Sequence, residues 1–130
     1  SGDIEVADIP EAWNTRFTEL MGITPESDAD GCLQDVHWSG GMFGYFPTYT
    51  LGNLYGAQFF EKAREDLGDL EEQFARGEFA PILGWLRENI HTHGQRYRAS
   101  ELIEHVTGKP LSHAPLVRHL KSKLGGLYGV

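Results

Sequence analysis

Cysteine is almost missing from this chain. Cys32 stands alone among 130 residues, so no internal disulfide can form, and such sparse usage fits a reducing compartment; Cys32 itself reads as a small buried apolar residue. No apolar run approaches the roughly 18 residues that a membrane span needs. The opening Ser1-Gly2-Asp3-Ile4-Glu5 has neither the basic region nor the apolar stretch of a signal peptide. The expected setting is the cytoplasm, with no membrane partner, and a chain that begins with Ser rather than Met reads as a piece of something longer. Cations are scarce too: 11 Lys and Arg face 19 Asp and Glu, for a net charge of -8. A phosphate surface repels such a chain, which excludes nucleic acid as a partner. The imbalance is lopsided, with 4 cations against 16 carboxylates in residues 1–80 and 7 against 3 in the remainder.

What is present is enough for one modest core, since 40% of the residues are apolar and 12% aromatic, and the expectation is a single folded unit spanning residues 1–130. Helical spacing dominates. Asp8 as N-cap, Pro10 in the first turn, and Ile9, Trp13, Phe17, Leu20 and Met21 predict a helix over 9–21 that ends at Gly22. Leu51, Tyr55, Phe59, Ala63 and Leu67 form an i, i+4 stripe that predicts a helix from Pro47 or Thr48 to Leu67. Gly52 and Gly56 weaken it, so something is expected to approach the backbone closely there. A short helix over 70–76 comes next, then one after Pro81 with Ile82, Leu83, Leu86 and Ile90 inward, ending near His93-Gly94. Ser100 is expected to cap a helix through Val106. Ser112 caps the last, with Leu116, Val117, Leu120 and Leu124 inward and Gly125-Gly126 as its end. The fold class is therefore all-α, mainly helical.

Between the first two helices, residues 23–46 keep no sustained period. They read as an ordered loop with room for one short strand at Leu33 to Trp38. The stretch from Gly31 to Tyr49 collects one His, one Asp, one Gln, two Tyr, one Trp and four Gly, more polar aromatics and flexible backbone than a connector needs. His37 and Tyr45, eight residues apart, can converge as hydrogen-bond donors on an oxygen that turns negative during carbonyl hydrolysis. The same residues can equally form a buried polar network that staples the loop to its neighbours.

Gly31-Cys-Leu-Gln-Asp-Val-His-Trp38 resembles the G-x-x-Q-D-x-H-W motif of the thermostable, Taq-type zinc metallocarboxypeptidases. Phe43-Gly-Tyr-Phe-Pro-Thr-Tyr49 and Leu51-Gly-Asn-Leu-Tyr55 are similar to the segments downstream of that motif in the family. So are Ile9-Pro-Glu-Ala-Trp13 on the upstream side, and His91-x-x-Gly94-x-x-Tyr97, Thr107-Gly108-x-Pro-Leu111 and Leu120-Lys-x-Lys123 further along, so the resemblance runs nearly end to end. It implies the C-terminal portion of a mostly helical fold of the neurolysin and angiotensin-converting-enzyme type. The implied activity is removal of C-terminal residues from peptides by zinc-activated water, and a homodimer is suggested for the intact enzyme. The family holds its zinc, or another divalent metal, with an H-E-x-x-H helix and a later Glu. Neither occurs in this chain, so no metal ligand is expected here. The resemblance casts residues 23–46 as one wall of the active-site cleft and makes the missing H-E-x-x-H part of the same polypeptide their partner; alone, the segment would be inactive. By that resemblance His37 and Tyr45 are the candidate donors to substrate carbonyl and oxyanion, with Tyr49 the substitute for Tyr45 and with Gln34, Asp35 and Trp38 binding substrate or orienting the donors. The rival reading is a non-catalytic helical interaction or dimerisation module whose loop serves folding alone.

Elsewhere the bland readings lead. His91 and His93 sit i, i+2, which points the rings apart on a helix, and no carboxylate or Cys accompanies them at ligand spacing; they suit a helix C-terminus better than a second metal site. Arg96 and Arg98 fit surface ion pairs better than a carboxylate clamp. Trp13, Trp38 and Trp85 read as core anchors.

Overall fold

A computed structural model describes residues 2–129, and those residues are helices joined by turns, with no strand among them. The helices are α1 (Ile9–Met21), α2 (Pro47–Leu67), α3 (Leu70–Ala75), α4 (Ala80–Asn89), α5 (Ala99–Thr107) and α6 (Ala114–Tyr128), with single 3-10 turns at Val6–Asp8 and His91–His93. The chain divides into two compact units, Ser1–Phe46 and Pro47–Val130. Among the described residues no helix is long and apolar enough to cross a membrane.

In the first unit α1 starts and stops where its pattern predicts. Gly22 ends it in the left-handed region, at φ +74, and returns its N–H to Thr18 O at 2.9 Å. The N-terminal device differs from the expectation. Asp8 makes no cap on α1; its carboxylate accepts instead from Glu5 N at 3.0 Å, because an extra 3-10 turn precedes the helix and Asp8 closes that turn. Trp13 and Phe17 are half-buried, while Leu20 is 81% exposed.

The second unit is organised on α2, which packs against α4, α5 and α6. Its core is Ala63, Leu70 and Trp85, with Phe59, Phe60, Leu67, Phe74, Ile82, Leu86, Ile90 and Val106 packed around them. Trp85 is 6% exposed and satisfies its indole N–H on Asp66 Oδ2 at 2.8 Å. Asp69 caps α3 by accepting from Glu72 N. Arg118 of α6 reaches Glu61 of α2 through both forks of its guanidinium, at 2.7 to 3.0 Å.

Four expectations fail here for physical reasons. A Cβ built on Gly52 or Gly56 would meet nothing within 4 Å, so among the described residues of their unit nothing makes the close approach those glycines suggested. Leu83, Val117 and Leu120 are exposed, because helical spacing puts residues on a shared arc without supplying anything to cover them. Ser100 lies inside α5; the start of that helix is fixed by Glu101, whose carboxylate accepts from Arg98 N at 2.8 Å. Finally, α6 runs through Gly125 and Gly126 to Tyr128, and Gly129, at φ +69, is the residue that ends it. An interior glycine costs about 1 kcal/mol relative to Ala, too little to break a packed helix.

Large apolar side chains remain at the surface of both units: Leu33, Val36 and Phe43 in the first and Leu127 and Tyr128 in the second are each more than two-thirds exposed.

Candidate active site

The loop after α1 is built from turns that use its own backbone. Leu33 N and Gln34 N bond back to Asp28 O and Gly31 O at 2.8 and 3.0 Å, and Gly40 N and Met42 N both return to His37 O. Leu33, Gln34 and His37 thus spend their N–H groups within the loop, and turns form over 33–38 in place of a strand. Two glycines are required by geometry. Gly41, at φ +75, lies where L side chains are strained. Gly31 is buried, and a Cβ on it would stand 3.2 Å from Asn14 Oδ1 of α1 and 3.3 Å from Ser27 O. Trp38 anchors the loop on α1, its ring edge-on to Trp13 at 5.9 Å and stacked with Phe43 at 6.1 Å.

On this frame Asp35, His37 and Tyr45 come together. Asp35 Oδ1 accepts from the His37 backbone N–H at 2.8 Å and contacts its ring Nδ1 at 2.5 Å. Burial alone would push the Asp35 carboxyl up; the bonds from the His37 backbone and ring, with the charge of the imidazole, outweigh it and hold the carboxyl below its ordinary value. The carboxylate is therefore ionised near neutrality and cannot donate, so Nδ1 carries the shared proton. The ring stacks on Tyr45 at 5.2 Å between centroids, 20° from parallel, and meets Phe46 edge-on at 5.4 Å. The side chains of Asp35 and His37 are 11% and 20% exposed, whereas Tyr45 is 43% exposed. The cluster lies at the surface, with Tyr45 the most exposed of the three residues.

The other residues singled out from the sequence fall elsewhere. Tyr49 stands in the first turn of α2, in the second unit, and is 52% exposed. Gln34 is exposed, and its side-chain amide makes no hydrogen bond to any described residue; its backbone N–H alone enters the turn. Phe46 was not anticipated as a neighbour of His37, although the density of aromatics between 38 and 49 was a signal for it. In the second unit the rings of His93, Tyr97 and His105 cluster at 4.9 to 5.3 Å, so the histidines there pack with a tyrosine rather than with carboxylates. Arg96 lies over the Tyr97 ring at 5.5 Å, and neither it nor Arg98 forms an ion pair among the described residues.

Residues 1–124 match the family described as carboxypeptidase Taq (M32) metallopeptidase. The chain belongs to that family. It is 52% identical over 128 residues to thermostable carboxypeptidase 1 of Thermus thermophilus and 45% identical over 128 residues to carboxypeptidase 1 of Bacillus subtilis, in each case over 98% of this chain. It spans about a quarter of those relatives, 25% and 26% of their lengths. The crystal structure of the M32 carboxypeptidase from Deinococcus radiodurans R1 superposes with a TM-score of 0.94 at 44% identity, covering 99% of this chain and 26% of that one. Membership of the carboxypeptidase Taq family implies a divalent metal, but the side chains present do not form its site. Among the described residues no group of three or more His, Cys, Asp or Glu is placed to hold a metal ion.

Proposed function

We propose that this chain is the C-terminal segment of a metal-dependent carboxypeptidase that removes C-terminal residues from peptides, and that residues 23–46 form one wall of its cleft. The observation that carries the reading is the Asp35–His37–Tyr45 arrangement. It brings together an imidazole held by a carboxylate and a partly exposed tyrosine stacked on it, two side chains of the kind that donate to a substrate oxygen. Hydrolysis of a peptide carbonyl places negative charge on that oxygen, and donors already aimed at it lower the barrier because they need no reorganisation. His37 and Tyr45 have that role; Asp35 orients His37, and Trp38 fixes the loop on α1. Tyr49 is the alternative phenol.

The metal, zinc by the family resemblance, would be held by another part of the parent polypeptide. The apolar surface beside the loop, carried by Leu33, Val36, Met42 and Phe43, supports a partner of that kind: patches of this sort mark contact surfaces. A self-contained interaction module would close that face with polar groups. The segment alone is inactive on this reading, and the parent enzyme is a cytoplasmic homodimer. The test is to incubate the parent polypeptide with a peptide carrying a free C-terminal carboxylate and with the same peptide amidated. Stepwise release of C-terminal residues from the first alone is expected; equal cleavage of both, or none of either, would sink the reading.

A further inference from the structure

Among the apolar side chains that the first unit leaves exposed, Phe43 is placed by the same turn that carries His37. Met42 N bonds back to His37 O at 2.9 Å and Gly41 N to Trp38 O at 2.9 Å, so the chain doubles back over residues 37–42. Gly44, at φ +75, turns it again between Phe43 and Tyr45. The result is two ring pairs on consecutive residues. Tyr45 lies on His37 at 5.2 Å, 20° from parallel, and Phe43 lies on Trp38 at 6.1 Å, 24° from parallel. Trp38 is braced in turn, edge-on against Trp13 of α1 at 5.9 Å. The Phe43 ring therefore rests on a fixed indole, yet the residue is 74% exposed.

We infer that Phe43 is a specificity-determining residue, whose open ring is the floor of a subsite for an apolar or aromatic side chain on the penultimate residue of the peptide. This rests on the reading of His37 and Tyr45 as donors to the scissile carbonyl and adds to it the side chain that is selected beside them. The carbonyl under attack belongs to the penultimate residue, and that residue's side chain branches from the carbon next to the reacting one. The side chain of the released residue lies beyond the amide nitrogen. A ring pair adjoining the donors is thus set to meet the penultimate side chain. Replacing water on an aromatic face by an apolar group is favourable, and an aromatic group gains the offset or edge-on geometry that rings prefer. Stacking on Trp38 also orders the Phe43 ring before substrate arrives, so little freedom is lost on binding. Leu33, Val36 and Met42, exposed as well, belong to neither ring pair and remain the surface offered to the rest of the parent polypeptide.

The test is made in the intact parent enzyme with Phe43→Ala, Phe43→Leu and Phe43→Trp. It measures kcat/KM for N-blocked peptides that share a C-terminal residue and carry Phe, Leu or Ser before it, and for a second set varied at the C-terminal residue alone. Wild type is expected to favour Phe and Leu over Ser at the penultimate position. Phe43→Ala should cut that preference by about tenfold, the low end of the roughly 10- to 200-fold by which an apolar pocket weighs one methylene, because the platform covers one side. Phe43→Leu should recover the preference for Leu more than that for Phe, and Phe43→Trp should keep both. The preference at the released residue should not follow these changes. A wild type without the penultimate preference, a preference unmoved in Phe43→Ala, or a change confined to the released residue would overturn the proposal. So would a loss equal for all peptides; with a lowered Tm, that outcome would give Phe43 to the contact with the rest of the parent polypeptide. His37→Ala separates the two levels. A loss of about 100-fold in kcat, alike for every peptide, supports the donor reading whatever the Phe43 variants do, and normal turnover would remove that reading and this proposal with it.

Discussion

Replacing Gln58 with leucine tests how the second unit is held together. Gln58 is 5% exposed on α2. Its Nε2 faces Thr107 Oγ1 at 3.2 Å, Pro110 O at 3.1 Å and Lys109 O at 3.4 Å, while its Oε1 accepts from Ser112 N at 2.9 Å. One amide thus ties the whole connection between α5 and α6 to α2. A primary amide has two N–H groups for three oxygens, so the 3.4 Å contact is the weakest of the set. Leucine fills nearly the same volume, which keeps the cavity cost small, but leaves the Ser112 N–H without its partner. A stranded, largely buried donor costs about 1–3 kcal/mol, and the lost net bonds to Pro110 and Thr107 add about 1 kcal/mol. Against about 1 kcal/mol regained from burying the apolar side chain, the expected loss is about 1–3 kcal/mol. Urea unfolding followed by tryptophan fluorescence measures it. Gln58→Glu should cost more than leucine, because a carboxylate would face carbonyl oxygens where donors are needed. A loss under about 0.5 kcal/mol for leucine, or a glutamate variant as stable as wild type, would refute this account of the knot.

Other perturbations carry equally definite outcomes. Gly52→Ala and Gly56→Ala should each stabilise this chain by up to about 1 kcal/mol, since alanine is the better helix former and a Cβ at either position meets nothing within 4 Å; in the parent enzyme the same changes should destabilise if another segment packs there, and thermal unfolding of both forms distinguishes the cases. The Asp66 carboxyl is held below its ordinary value by hydrogen bonds from Lys62 first and from the Trp85 indole next. A depressed folded value means its stabilisation is fully present above the ordinary carboxylate value of about 3.9 and is lost as pH falls through the lower folded value. Denaturant unfolding from pH 6 downward should therefore show a steeper acid loss for wild type than for Asp66→Asn; parallel curves would contradict the linkage.

The helices were legible because their signals are local. Gly22 and Gly108 end α1 and α5 in the left-handed region as their positions foretold, and α2 starts at Pro47, one turn before the i, i+4 stripe, and ends with that stripe at Leu67. Exposure was less legible. Leu120 and Val117 keep helical spacing yet face outward, since periodicity tells which residues share an arc and not whether anything covers it. The strand drawn over 33–38 failed for a related reason: a strand exists through its partner, and this stretch spends its donors on its own turns. The motif around the site was visible as residue types. The placement of Tyr45 flat against His37 came from the path of the chain through Gly41 and Gly44, both at φ +75, which no spacing encodes.

The central claim is that the loop between α1 and α2 turns donors toward a reacting carbonyl. Steady-state kinetics of His37→Ala and Tyr45→Phe in the parent enzyme test it most directly. The account predicts kcat lowered by about 10² to 10³ in each, with KM changed only a few-fold, because such donors act in the transition state rather than in the bound ground state. Turnover close to wild type in both variants would contradict it.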